Sequence, residues 1–256
     1  AMQMAQSDPA GPVYLTGARE VLEENVEKLP DSWGEWSLIE QSSLPKRGLD
    51  EIVSALLEAR NPLLITSYLG RNTKAVSKLI EFCEKMAIPV VEQIPTFVNF
   101  PRDHALHLGY DPNPFVSEAD VIIAIDTDVP WVTTQVQPKD DCKVYYIDLD
   151  PIKEEIPLWH IPAVRNYRAD AYASLIQLND DLAQRDINQE QIQGRYLRLA
   201  KCHEEQCKAW KQKEQGGGDT ISPEWLTACL RNVVDAETII LDETITNTMT
   251  VAKHLP

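Results

Sequence analysis

The chain has 256 residues, 43% of them hydrophobic, enough for one substantial core with room for a second, which excludes a disordered composition. Lys plus Arg number 24 against 40 Asp plus Glu, a formal net charge of −16, and no Lys/Arg run interrupts it. Such a surface repels phosphate backbones and anionic bilayers, and no stretch is long and apolar enough to span a membrane, so neither nucleic acid nor membrane is an expected partner.

In chain order, residues 11–16 (Gly-Pro-Val-Tyr-Leu-Thr) read as a short strand leaving a Gly-Pro turn, and a lone strand needs a sheet to join. Residues 19–28 form a short helix candidate. A Pro-, Ser- and Trp-rich linker follows through 47, which Trp33 and Trp36 are expected to pin by burial. The stripe of Ile52, Leu56 and Leu57 predicts a helix over 50–59, stopped by Asn61-Pro62. A strand is expected at 62–66, a turn at Gly70-Arg71-Asn72, and a helix over 73–86 with Val76, Leu79, Ile80 and Cys83 on one face. Then come a strand at 88–92, a loop rich in Pro, Phe and Asn through 114, and a short helix near 115–119. Residues 119–126 are apolar on both faces, as a buried parallel strand requires. Strands at 143–148 and, at an edge, 166–169 precede Asp170, the cap of a helix over 171–182.

Strands alternating with helices at this spacing imply an α/β fold: a Rossmann-like, mostly parallel, doubly wound sheet covered by helices on both faces. Ligands in such sheets bind beyond the carboxyl ends of the strands, here the loops 66–72, 92–114, 126–138 and 148–162. After 184 the composition turns polar, and residues 189–213 predict a long solvent-facing helix ending at the Gly216-Gly217-Gly218 break. Ser222-Pro223 caps a helix running to 233 or 234, a strand is expected at 238–242, and a short helix follows. One helix and one strand do not make a domain, so both ends read as pieces of neighbouring domains.

Five scattered cysteines show neither zinc spacing nor a disulfide framework, and the first residues lack a signal-peptide pattern, so a reducing, cytoplasmic setting is expected. Cys83 and Cys229 are expected to pack as small hydrophobes. Asp126 and Asp128 follow the most buried strand, and Asp148 and Asp150 follow the next. Carboxylates there either bind a ribose or cation, or simply cap turns. Thr66-Ser67-Tyr68-Leu69-Gly70-Arg71 stands where a phosphate loop would, yet it has only Gly70 of the three spaced glycines a dinucleotide fingerprint needs. Arg71 remains a candidate phosphate partner. Asp103, His104 and His107 make at best a crude ligand set, His160 reads as a turn or interface residue, and no nucleophile–base–acid arrangement stands out.

Several runs together carry a family resemblance: residues 61–66, 88–91, Phe100-Pro101-Arg102-Asp103-His104 with Leu108-Gly109, 118–125, and above all Tyr146-Ile147-Asp148-Leu149-Asp150-Pro151. Through them residues 48–181 resemble the central domain of thiamine-diphosphate enzymes such as acetolactate synthase, benzoylformate decarboxylase and oxalyl-CoA decarboxylase. The resemblance implies this partition: 1–16, the end of a pyrimidine-binding domain; 17–47, a linker; 48–184, the central domain; 185–219, a second linker with the polar helix; 220–256, the start of a diphosphate-binding domain. It implies an intact homo-oligomeric enzyme, acetolactate-synthase-like, that uses thiamine diphosphate and magnesium on a 2-keto acid. Glu243, Thr244, Thr246 and Asn247 match the loop that lies near the cofactor phosphates in relatives. The family's catalytic glutamate would lie before residue 1 and its Gly-Asp-Gly motif after residue 256, so this chain alone is expected to be inactive. Relatives hold FAD or ADP in the central domain, or nothing. Ser67-Tyr68-Leu69 departs from the flavin pattern, because Tyr68 and Leu69 would crowd a pyrophosphate, and an empty site is the expectation. Were a nucleotide bound, Gly70, Arg71, Asp126, Asp148 and Asp150 would be its contacts. The rival reading is a non-catalytic scaffold or nucleotide-binding module.

Overall fold

The apolar runs of the sequence become the centre of a five-stranded sheet. In a computed structural model, which describes all residues except 27, 29–33, 35, 154, 155, 157–159, 217, 236 and 256, β1 (Pro62–Thr66), β2 (Val90–Glu92) and β3 (Val121–Ile125) are buried at every position. β4 (Lys143–Asp148) exposes only its first residue, whereas β5 (Arg165–Arg168) buries only Tyr167. The order is β2-β1-β3-β4-β5, all neighbours parallel: polar β5 is one edge, and β2, the other edge, stays buried because the Val90 backbone bonds to Leu106 and Leu108 of the following loop. A short apolar run serves an inner parallel strand because both its faces are covered.

The flanking helices are amphipathic. α3 (Lys46–Glu58) buries Ile52, Val53 and Leu56, and α4 (Thr73–Met86) buries Leu79, Phe82 and Cys83. Asn72 caps α4 by accepting from the Lys74 N–H, and left-handed Ala87 ends it. α6 (Ala171–Leu182), capped by Asp170, packs on both α3 and α4. Gly48 lets α3 approach the edge strand, since a Cβ there would stand 2.6 Å from the Tyr167 ring. α3 begins four residues before the expected position 50, and the short helix α5 (Asn113–Val116) lies slightly earlier than 115–119.

α7 (Gln189–Gln212) lies across the amino ends of the strands and is fixed by one buried cation. Arg195 donates to the carbonyls of Ala59, at 2.8 Å, and of Met86, the residues that end α3 and α4. A guanidinium there meets the negative ends of two helix dipoles. α8 (Pro223–Arg231) and α9 (Thr248–His254) pack together, and Glu214 ties them to the end of α7. The Glu214 carboxylate accepts from Arg231 at 2.8 and 2.7 Å and from His254 Nδ1 at 2.8 Å. Those partners, Arg231 first, hold its pKa down at about 2.

Contacts divide the chain into two units, Ala1–Ser42 and Ser43–Pro256. The first contains α1 (Met2–Gln6), α2 (Arg19–Leu22) and a buried Ser7 whose hydroxyl donates to Gln3 O and accepts from the Ile39 N–H. Several expectations change here. No strand forms at 11–16, where Tyr14 is 91% exposed, and the 19–28 helix contracts to α2. Trp36 is 77% exposed instead of buried, and Trp33 lies outside the described residues. In the second unit no strand forms at 238–242, and Cys229 is only half-buried. The cause is common to both missing strands: strand-prone residues without a sheet edge gain no ladder hydrogen bonds.

Candidate functional site

The order 2-1-3-4-5 reverses direction between β1 and β3, so the crevice for a ligand lies beyond their carboxyl ends. Three loops meet there: 66–72 after β1, 126–131 after β3, and 148–153 after β4. Backbone hydrogen bonds close the first two together, because Ser67 and Tyr68 N–H both donate to Asp126 O at 3.0 Å. Asp126 reaches this position with φ 45°, a conformation Asp tolerates better than most residues. The Ser67 and Thr127 hydroxyls sit 2.7 Å apart and buried, and Ser67 also donates to Gln93 O.

Charged side chains fill the rest. Tyr68 reaches across the crevice and donates to Asp148 Oδ2 at 2.5 Å. Lys153, nearly buried, donates to the Tyr68 hydroxyl at 2.7 Å and pairs at 3.0 Å with both Asp148 and Asp128. Its ammonium also lies 5.3 Å from the Tyr68 ring centroid. Burial, then the Asp148 charge, pushes the Tyr68 phenol far above its usual range, so it stays a donor. Arg71 pairs with Asp126 at 3.2 Å. Burial outweighs that guanidinium and raises the Asp126 carboxyl to about 7; its Oδ1 is buried without a partner.

Of the nucleotide candidates, Arg71, Asp126 and Asp148 therefore converge on one network, and Asp150 adjoins it through its N–H, which donates to Asp148 Oδ1 at 2.8 Å. Gly70 is used differently. Its N–H donates to Asn99 Oδ1 at 2.8 Å, and a Cβ on it would collide with Val98 O. The backbone that approaches this glycine is the chain's own loop. Glu243, Thr244, Thr246 and Asn247 share no hydrogen bond with the crevice among the described residues. They lie in the mostly exposed stretch entering α9, where Thr244 turns back onto Asp242 Oδ1.

Lys153 went unnoticed in the sequence, and so did a second buried cluster. Glu92 Oε2 meets His107 Nε2 at 2.9 Å, while its Oε1 accepts from the Asn99 side chain and N–H at 2.9 and 3.1 Å. All three residues are buried, and they bind the long 92–110 loop to β2. The available signal was one carboxylate closing an all-apolar strand, which requires a partner. His104 instead meets Glu84, at 3.2 Å, and among the described residues no group of three His, Cys, Asp or Glu is arranged to hold a metal. His160 is exposed. No helix among the described residues is long and apolar enough to cross a membrane.

A family model described as "Thiamine pyrophosphate enzyme, central domain" matches residues 49–178, half of the chain. Among solved structures, similarity extends to a protein isolated from Mycobacterium smegmatis and described as a thiamin diphosphate-dependent enzyme, with a TM-score of 0.69 and 17% identity. A benzoylformate decarboxylase from Polynucleobacter necessarius gives a TM-score of 0.70, also at 17% identity. At that identity the likeness concerns fold. These alignments cover 99% and 98% of this chain but 47% and 45% of the other two, so the chain spans about half the length of the structures it matches. No curated protein matches the sequence.

Proposed function

The chain belongs to the thiamine pyrophosphate enzyme family, of which it carries the central domain, and from that premise we propose that it is the mainly structural portion of a 2-keto acid carboligase or decarboxylase, acetolactate-synthase-like in kind. In this reading residues 48–184 hold apart and orient a pyrimidine-binding and a diphosphate-binding domain, to which 1–16 and 220–256 contribute. The intact enzyme is a homo-oligomer. Thiamine diphosphate, bound with magnesium by those flanking domains, supplies the carbanion-stabilising chemistry. Residues described above position the scaffold and move no proton in that reaction.

One observation carries the reading: the crevice where a nucleotide would lie is filled by Tyr68 and Lys153 and stitched shut between Ser67, Thr127 and Asp126. A pyrophosphate entering there would have to displace the half-buried Tyr68 phenol and a buried Lys153–Asp148 pair, whose disruption costs on the order of 3–5 kcal/mol. Calorimetry of the purified chain with FAD and with ADP is expected to give no saturable heat. Micromolar binding of either would overturn the closed-crevice reading. Incubation with thiamine diphosphate, magnesium and benzoylformate or pyruvate is expected to release no carbon dioxide; steady turnover by this chain would overturn the structural assignment.

The rival, a nucleotide-binding module, rests on Arg71 and Asp148 standing at strand ends where phosphate and ribose are held in dinucleotide folds. Tyr68→Gly separates the two. Opening the crevice is expected to create weak ADP binding absent from the parent chain, whereas a nucleotide module would bind before the substitution.

A further inference from the structure

β5 leaves one side of the sheet open. Among the described residues no strand pairs with its outer side, and its side chains are exposed except for Tyr167. The Val164 N–H turns inward and donates to Val144 O at 2.8 Å. Backbone groups alternate along a strand, so those of Arg165 and Tyr167 face outward, where no described residue bonds to them. Such a row of N–H and C=O groups is a template for another strand.

Charge decides which strand fits. The sequence has no Asp or Glu from 156 to 169, and β5 contributes Arg165 and Arg168. A shallow groove runs beside this edge, with Ala55, Tyr145 and Val164 among its lining. Lys46, Arg47, Lys143 and Arg165 border it, against Asp50, Glu51 and Glu58. Two guanidiniums draw on the single Glu51 carboxylate, Arg47 at 2.9 Å and Arg165 at 3.2 Å. In a chain of net charge −16 this is a locally positive surface. It repels a second β5 and attracts an acidic strand.

The chain itself carries such a strand. Residues 238–242 (Thr-Ile-Ile-Leu-Asp) have strand composition, yet Ile239, Ile240 and Leu241 make no backbone hydrogen bond among the described residues. Ile239 and Leu241, two positions apart and so on one face of an extended chain, are 87% and 89% exposed. Asp235, Glu237, Asp242 and Glu243 surround them, and no Lys or Arg occurs from 232 to 252. That like charge keeps the segment from pairing with its own kind. We propose that residues 238–242 of one copy add as a strand to the β5 edge of a second copy, with Ile239 and Leu241 over Ala55, Tyr145 and Val164 and the flanking acids beside the basic rim. The contact goes beyond the scaffold role and requires no cofactor.

Sedimentation equilibrium of the purified 256-residue chain over a wide concentration range reads the association. The weight-average mass should rise from 28.9 kDa with a dissociation constant on the order of 10–100 μM, the weak end expected of one strand pair. Ile239→Pro removes a donor from an exposed segment and Arg165→Glu reverses the charge of the edge; each should weaken association about tenfold. Adding Glu237→Arg and Glu243→Arg to Arg165→Glu should restore it to within about threefold, a rescue that simple damage to the edge would not permit. Chymotrypsin supplies the map. At about ten times the dissociation constant, cutting near Leu241 should slow about fivefold relative to the dilute chain, while cutting near Tyr14 keeps its rate. The proposal falls if the mass stays at 28.9 kDa throughout, if Ile239→Pro associates as strongly as the parent chain, if Tyr14 is protected together with Leu241, or if the charge exchange restores nothing.

Discussion

Asp126 carries the strongest conflict between burial and charge in the crevice, and its carboxyl is raised from 3.8 to about 7. A folded-state pKa above the unfolded value means that the folded chain holds an extra proton between those two pH values. The resulting stability is complete below about pH 4 and is lost as pH rises through about 7, with an upper bound of about 4 kcal/mol. Asp126→Asn keeps the shape and tolerates the same left-handed backbone. Urea unfolding from pH 4 to pH 8 should show wild type losing stability relative to the variant; parallel pH profiles would refute a raised Asp126. Gly70 makes the companion case. Gly70→Ala forces a methyl group into Val98 O, a backbone atom that yields only if the 97–99 loop moves, and a loss of about 2–3 kcal/mol in thermal or urea unfolding is expected. At this scale the sequence was half legible. Carboxylates following apolar strands announce a strand-end cluster, and Tyr68 could be read as an obstacle where glycine is usual. Lys153 could not, because it enters from a loop whose path follows from no periodicity. Glu92 and His107 lie fifteen positions apart, and only the folded loop brings them together.

Helices were the most legible elements. The 73–86 and 171–182 assignments coincide with α4 and α6, and α7 ends one residue before the expected 213, since caps and amphipathic spacing are local properties. Strands depend on neighbours. β1 to β5 formed where a parallel partner was present, while 11–16 and 238–242, with comparable residues, did not. Tertiary roles of helices were less visible: nothing in the charged pattern of α7 distinguishes Arg195 from its solvated neighbours. The same holds for Glu214, one residue in a polar stretch that proves to hold α8 and α9 onto α7. With its pKa lowered to about 2, its contribution is present above 4.5 and is lost as pH falls toward 2. Glu214→Gln should cost the α8–α9 pair about 2 kcal/mol of local stability at neutral pH, the value of charged hydrogen bonds, and leave β1 to β4 unchanged. Amide hydrogen exchange reads this directly. Faster exchange confined to 223–254 supports the tie, and unchanged protection there would show that apolar packing alone holds the pair.

For the whole molecule, the alternation of strands and helices was enough to deduce a parallel, helix-flanked sheet, because right-handed crossovers leave few other arrangements. The order 2-1-3-4-5 was not deducible, since β2 and β5 are both short and the pattern does not say which lies at which edge. Stability is unevenly spread over the 256 residues. Apolar side chains from 44 to 199 form one continuous core, whereas Tyr14, Leu15, Ile239 and Leu241 are each at least 79% exposed. Exposed backbone without ladder hydrogen bonds is what proteases recognise, so cleavage susceptibility should follow this division. Brief chymotrypsin treatment should cut first near Tyr14 and Leu15 and near Leu241, while Phe82, Phe100 and Tyr146, all essentially buried, resist until global unfolding. In urea the early cuts should depend little on denaturant, and the late ones should track the loss of the sheet. Early cleavage at Phe82 or Tyr146 under native conditions would mean that the central sheet opens locally and is not the rigid frame on which the scaffold reading depends.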